Sequence, residues 1–146
     1  MSKLYVERLR VDSKPPFKTT KHAACFDVFV NLSGPDSVKT FNVNNQRIEI
    51  NVFNHPVTLQ PGQRALIPTG LKICCEIGYC VKVYARSGLS VKEGLSLANC
   101  VGIIDADYRD ELYIAVINNS SEPLIIDHDE RIAQIMVEKV EDTKII

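Results

Sequence analysis

The chain of 146 residues reads as a single all-β domain. Two observations predict this. Runs rich in β-branched and aromatic residues recur at 65–68, 71–76, 79–84, 112–117 and 123–126. Turn residues separate them: Pro61-Gly62, Pro68-Thr69-Gly70, Gly78, Gly88, Gly94 and Gly102. Beyond these runs, 89–93 reads as a short helical stretch. The run 131–137 reads as a last strand, although its periodicity also suits a helix. Many short strands at this spacing build a sandwich, a barrel or a jelly roll.

Local patterns place the faces of these strands. Lys72-Ile73 and Lys82-Val83-Tyr84 alternate polar and apolar positions, as a strand covered on one face does. The run 112–117 is nearly all apolar, which predicts a strand covered on both faces. The segment 34–56 is polar, with Asn42, Asn44, Asn45, Asn51 and Asn54, and also holds Arg47. It reads as an extended hairpin or loop excursion from the one domain spanning 1–146. The sequence has no internal repeat and no low-complexity tract.

Composition narrows the function classes. Hydrophobic residues make up 45% and charged residues 24%, as in a folded soluble protein. A formal net charge of −1 excludes a broad nucleic-acid-binding face, so any anionic ligand must meet locally placed cations. The five cysteines, Cys25, Cys74, Cys75, Cys80 and Cys100, are odd in number and include an adjacent pair, a poor disulfide framework. Reduced thiols in a cytoplasmic compartment fit better. Cys74, Cys75 and Cys80 lack a CxxC pair or a nearby His, so they read as small buried hydrophobes and not as zinc ligands. No apolar run approaches the ~18 residues of a membrane span, and residues 1–10 carry no signal-peptide core.

Four segments carry side chains suited to phosphate chemistry. In Ala85-Arg86-Ser87-Gly88-Leu89, Arg86 offers a fork to phosphate oxygens, Ser87 a hydroxyl, and Gly88 close backbone approach. The same residues also serve in ordinary turns. In the segment Gly102-Ile103-Ile104-Asp105-Ala106-Asp107-Tyr108-Arg109, a carboxylate can act as general base for a water and Tyr108 offers a flat face to a sugar. Taken alone, the segment also reads as an acidic turn between two buried strands, which fits it slightly better. Asp27, flanked by apolar residues, needs a partner if buried: water around a Mg²⁺ ion, or backbone amides. Arg131 and Gln134 can reach phosphates, or can form a structural ion pair and a surface amide.

Taken in order, Ala24-Cys25-Phe26-Asp27-Val28, then Arg86-Ser87-Gly88-Leu89-Ser90, then Asn99 with the segment from Gly102 to Arg109, then Arg131-Ile132-Ala133-Gln134 resemble the first four motifs of the trimeric dUTPase family. The resemblance runs from about residue 24 to 137, and its third and fourth motifs are the most specific. It implies a jelly-roll or distorted β-barrel fold, a homotrimer with active sites at subunit interfaces, and Mg²⁺-assisted hydrolysis of dUTP to dUMP and pyrophosphate. It also implies residue roles. Asp105 would activate the attacking water, and Tyr108 would pack under the deoxyribose and exclude a 2′-hydroxyl. Asn99, Gly102 and Ile104 belong to the hairpin that would read uracil. Arg86, Ser87, Gly88 and Gln134 would contact phosphates, and Asp27 would help to organise the magnesium-bound phosphates through water.

The sequence departs from the family pattern at several places. Cys25 stands for a usual Gly, Ala85 for a common Pro, Asp110 for a usual Gly, and Asp129-Glu130 for Gly-Asp. The family's fifth motif, a Gly-rich arm with an Arg and a Phe that closes over the nucleotide, has no counterpart in Glu141-Asp142-Thr143-Lys144-Ile145-Ile146. Since lid closure aligns phosphates and excludes water, this departure bears on turnover more than on binding. An alternative expectation is therefore a protein of this fold that binds nucleotide or a partner with little turnover. The related dCTP deaminases share the fold, but the position of their catalytic glutamate falls on Ala115.

Overall fold

The protein, described here by a computed structural model over residues 2–53 and 55–146, is built almost entirely of strands. In chain order these are β1 (Leu4–Arg8), β2 (Phe26–Phe29), β3 (Ser37–Phe41), β4 (Arg47–Asn51), β5 (Val57–Leu59), β6 (Arg64–Cys75) and β7 (Tyr79–Tyr84). After a single π-helical turn (Leu89–Glu93) come β8 (Leu95–Leu97), β9 (Gly102–Ile104), β10 (Glu111–Asn118), β11 (Leu124–Ile126) and β12 (Arg131–Lys139). The larger sheet runs β4-β3-β6-β10-β8, with β1 also paired to β6; a second runs β2-β12-β7-β9; β5 and β11 form a small pair. Every pairing is antiparallel. This is the expected all-β, jelly-roll-like architecture.

One continuous buried cluster joins the sheets. Ile67, Ile73 and Ile114 come from the larger sheet, Val28, Val81 and Ile135 from the second, and Leu59 and Ile126 from the small pair. Among the described residues, no buried side-chain polar atom lacks a hydrogen-bond partner. Asn118, fully buried, donates to the carbonyls of Leu59 and Glu122 and accepts from Ser120, which fixes the turn leaving β10. Among the described residues, no helix is long and apolar enough to cross a membrane.

Three details correct the sequence reading. Pro68-Thr69-Gly70 does not break the chain: β6 runs through it as one strand of 12 residues. The turn-forming residues serve instead as a bulge. Gly70 has φ +68, and the β10–β6 register slips between Glu111 and Tyr113. The second correction concerns β10. Its residues alternate between buried and accessible, with Leu112, Ile114 and Val116 inside and Tyr113 45% exposed, so a single chain covers only one face. Third, of the three cysteines read as small buried hydrophobes, Cys75 and Cys80 are buried but Cys74 is only half-buried. The polar excursion is a β3–β4 hairpin that extends the larger sheet through Thr40 opposite Ala65; Asn54 within it lies outside the described residues. The helical stretch at Leu89–Glu93 and the final strand form as expected.

Candidate active site

Two arginines, Arg86 and Arg131, meet at one end of the second sheet. Strand β12 lies between β2 and β7, and its Gln134 stands opposite Asp27 on one side and Tyr84 on the other. The Gln134 Nε2 donates to the Ala85 carbonyl at 2.9 Å, tying the chain after β7 to the sheet. Asp27 is 8% exposed, and its charge is paired: Arg131 Nη1 donates to its Oδ2 at 3.1 Å, and Arg86 Nε lies 3.4 Å from its Oδ1. Arg86 is held further by donating from Nη1 to the Arg131 carbonyl at 3.0 Å. Thus three of the four segments singled out in the sequence meet on adjacent strands, because β2, β12 and β7 are neighbours.

The exposed Ser87 and Gly88 follow directly. Gly88 has an ordinary φ of −61, and a Cβ there would meet nothing within 4 Å. Neither backbone conformation nor packing within the chain explains this glycine, and the space beside it is open to a ligand.

The fourth segment builds a slot. Strand β9 pairs with β7 alone. Strand β10 pairs with β6 along one edge, while β8 covers only its end, from Val116 to Asn118. The free edges of β9 and of the first half of β10 therefore look onto a narrow cleft of about 60 Å³ lined by Val83, Asn99, Gly102, Ile104 and Ile114. Such edges present backbone donors and acceptors in fixed directions. Cys100, at φ +62, turns the chain between Asn99 and Gly102.

Asp105 follows β9 and is exposed; its carbonyl accepts from the Tyr108 N–H at 3.1 Å, closing a turn that also holds the exposed Asp107. Tyr108 donates its hydroxyl to the Glu111 carbonyl at 2.7 Å, and burial, then the Asp110 and Glu111 charges, raise its phenol above the ordinary range. It lines a wider cleft of about 470 Å³ with Lys39, Leu66, Asp110 and Tyr113, beside the slot.

The two halves of the site do not meet within the chain. Ile104 pairs with Val81, so Asp105 leaves the sheet at the Cys80 end of β7. Arg86 lies two residues beyond Tyr84, at the other end. The strand between Cys80 and Tyr84 alone spans about 13 Å at about 3.3 Å per residue. Arg47, on the outlying β4, pairs with Glu49.

Comparison with known proteins identifies the family. A family model described as dUTPase matches residues 52–146. A deoxyuridine 5'-triphosphate nucleotidohydrolase of Finegoldia magna is 39% identical over 114 residues, 77% of this chain and 80% of that protein. The chain belongs to the dUTPase family. The enzyme of the same name from Desulfitobacterium hafniense is 52% identical over 85 residues, 58% of this chain and 56% of its own. In fold, the chain is similar to the dUTPase from phage phi11 of S. aureus, described with a structural Mg(II) ion, at TM-score 0.76 and 20% identity over 99% of this chain and 95% of that one. The Streptococcus mutans dUTPase superposes at TM-score 0.69 and 23% identity, covering 95% and 98%. The dUTPase match begins after Asp27, whose carboxylate contacts Arg86 and Arg131 within that match.

Two residues outside the sequence reading complete the surroundings. Arg10 grips Glu111, Nη1 to Oε1 at 2.8 Å and Nη2 to Oε2 at 3.0 Å, and the Gly70 N–H donates to Oε1 at 2.7 Å. Arg10 gives no sequence signal, since its partner is 101 residues away. Glu111 could have been suspected as an acidic residue opening an apolar strand.

Proposed function

We propose that this chain, as one domain over 1–146, hydrolyses dUTP to dUMP and pyrophosphate at sites shared between copies of a homotrimer. Membership of the dUTPase family supports the reaction. The observation that carries the shared site is the placement of Arg86 and Asp105 at opposite ends of β7, with Arg86 pinned to Asp27 and to the Arg131 carbonyl. A base and a phosphate fork that act on one substrate must stand within a few ångströms of it. One chain keeps them apart; a ring of copies brings the Asp105 end of one to the Arg86 end of the next. The accessible face of β10 and β6, with Tyr113 and Leu66 at 45% and 37% exposure, offers apolar area for that contact.

In this reading, Arg86, Ser87, Gly88 and Gln134 bind the phosphate chain. The slot between Asn99, Gly102 and Ile104 takes uracil through backbone groups, and Tyr108 packs against the deoxyribose. Asp105 accepts a proton from the water that attacks the α-phosphorus, and pyrophosphate leaves with the electron pair of the broken P–O bond. Among the described residues, no cluster of three metal-ligating side chains exists, and both oxygens of Asp27 face arginines. This suits Mg²⁺ arriving with the triphosphate and meeting Asp27 through bound water, because Mg²⁺ keeps several waters and takes phosphate oxygens readily. When bound, the ion would offset charge on the phosphates. Five unpaired thiols support a cytoplasmic location.

Subunit mixing tests this proposal. Arg86→Ala and Asp105→Asn chains should each be nearly inactive on dUTP with Mg²⁺. Co-refolded, they should regain activity, since some interfaces join an intact Asp105 to an intact Arg86. A mixture no more active than its parts, or a monomer by sedimentation at micromolar concentration, would refute the shared site. A parent chain that binds dUTP but releases no pyrophosphate would leave a binding protein.

A further inference from the structure

The contacts around Glu111 point beyond the residues assigned so far. Its carboxylate is 11% exposed and receives both arms of the Arg10 fork, itself 18% exposed, together with the Gly70 N–H and a longer bond from the Tyr113 hydroxyl at 3.4 Å. Its backbone carbonyl is the acceptor for the Tyr108 hydroxyl. One residue thus joins the N-terminal segment, the β6 bulge and the tyrosine of the third motif.

Space has been cleared for this arrangement. A Cβ on Gly34 would lie 1.8 Å from Arg10 Nε, and one on Gly70 would lie 2.7 Å from Arg10 Nη1 and 2.1 Å from Ser13 Oγ. At the bulge, Thr69 Oγ1 donates to the Leu112 carbonyl at 2.7 Å, fixing the residue after Glu111 as well. The start of β10 is thereby held on both sides of the slip in register. The turn of residues 105–110 hangs from that start.

We propose that Arg10 and Glu111 form a positioning pair that sets the Tyr108 ring and so controls discrimination of deoxyribose from ribose. The pair touches no substrate and acts through the Glu111 carbonyl. This rests on the reading of Tyr108 as the residue against the sugar. The physical reason is leverage. An aromatic ring excludes a single hydroxyl only if its position is fixed to a fraction of an ångström, and a phenol held at one end by a 2.7 Å bond is as fixed as its acceptor. Without the Arg10 fork, a largely buried carboxylate loses its charge partner and moves toward water, taking the strand start and the tyrosine with it. Lys at position 10 keeps the charge but loses the planar fork. Gln at position 111 places an amide donor against an arginine donor.

The test compares kcat/KM for dUTP and for UTP in Tyr108→Ala, Arg10→Gln, Arg10→Lys and Glu111→Gln, each with a thermal melt to show the folded state. Tyr108→Ala should narrow the dUTP preference. Arg10→Gln and Glu111→Gln should narrow it about threefold to tenfold, chiefly through a higher KM for dUTP, with Arg10→Lys in between. A pair that serves stability alone would lower the melting temperature and leave the ratio of the folded enzyme untouched. If Tyr108→Ala narrows the ratio while both pair variants keep the parental value, the proposal is overturned and the sugar reading survives. If Tyr108→Ala leaves the ratio unchanged, the sugar reading fails and the proposal falls with it. Should Arg10→Gln not fold, Arg10→Lys decides: a parental ratio overturns the proposal.

Discussion

Gly102 and Val83 face each other across β9 and β7 with no room for another carbon: a Cβ on Gly102 would lie 3.0 Å from the Val83 Cβ and 3.2 Å from its Cγ2. Val83 sits within a strand and cannot swing aside as a flexible chain end would. Gly102→Ala should therefore push β9 off β7 by a few tenths of an ångström and cost about 1–3 kcal/mol, the usual range for overpacking. Because β9 forms one wall of the slot, KM for dUTP should rise as well. A melting curve and KM both at parental values would show that the contact relaxes without strain.

Asp105 and Asp107 share one exposed turn but should differ in effect. Asp105→Asn keeps the shape and removes the proton acceptor, so kcat should fall by roughly 10²–10⁴ while dUTP binding stays within about tenfold. Asp107→Asn should cost far less. Single-turnover kinetics beside equilibrium binding would separate the two effects, and equal losses from both variants would remove Asp105 from its proposed role.

Base choice should follow from the bare strand edges of the slot. Backbone groups that match uracil meet cytosine with a donor where an acceptor is needed, leaving a group unpaired at ~1–3 kcal/mol. A preference for dUTP over dCTP of at least about tenfold in kcat/KM is expected. Comparable rates on both nucleotides would mean that the slot does not read the base.

The N-terminal segment should contribute to acid sensitivity. Asp12 accepts from Ser33 Oγ at 2.7 Å and from Asn31 Nδ2 at 3.1 Å, and these bonds, the Ser33 bond first, hold its carboxyl below the ordinary carboxylate range. A carboxyl lowered by folding adds stability above its unfolded pKa, and that stability is lost as pH falls through the folded value. Asp12→Asn should thus reduce stability at neutral pH and flatten its loss in the acid range. Denaturant melts at several pH values would show this, and parallel curves for parent and variant would count against it.

The all-β class and most strands of the core were legible in the sequence because β-branched runs and turn residues coincide there. Pro68-Thr69-Gly70 misled, since the signals that end a strand are those that form a bulge within one. The apolar β10 misled in another way. A run of apolar residues does not tell a face covered within the chain from one covered in the proposed trimer, and the chain alone leaves Tyr113 45% exposed. Strand β1 was invisible: four of its five residues are exposed, and it is held by backbone pairing to β6. At the site, Asp27, Arg86 and Gln134 could be assigned to one cluster through the order of their motifs. The Arg10–Glu111 pair could not, because no local pattern records a partner so distant in sequence.

The proposed split of the site along β7 carries a consequence for inheritance. In a ring where each chain lends its Asp105 end to one neighbour and its Arg86 end to the other, a chain damaged at both ends spoils both sites it helps to form, two of the three in the trimer. A cell carrying one sound and one doubly damaged copy of the gene would then lose more activity than the share of bad chains suggests. A chain damaged at one end spoils a single site, and its defect would be diluted in proportion.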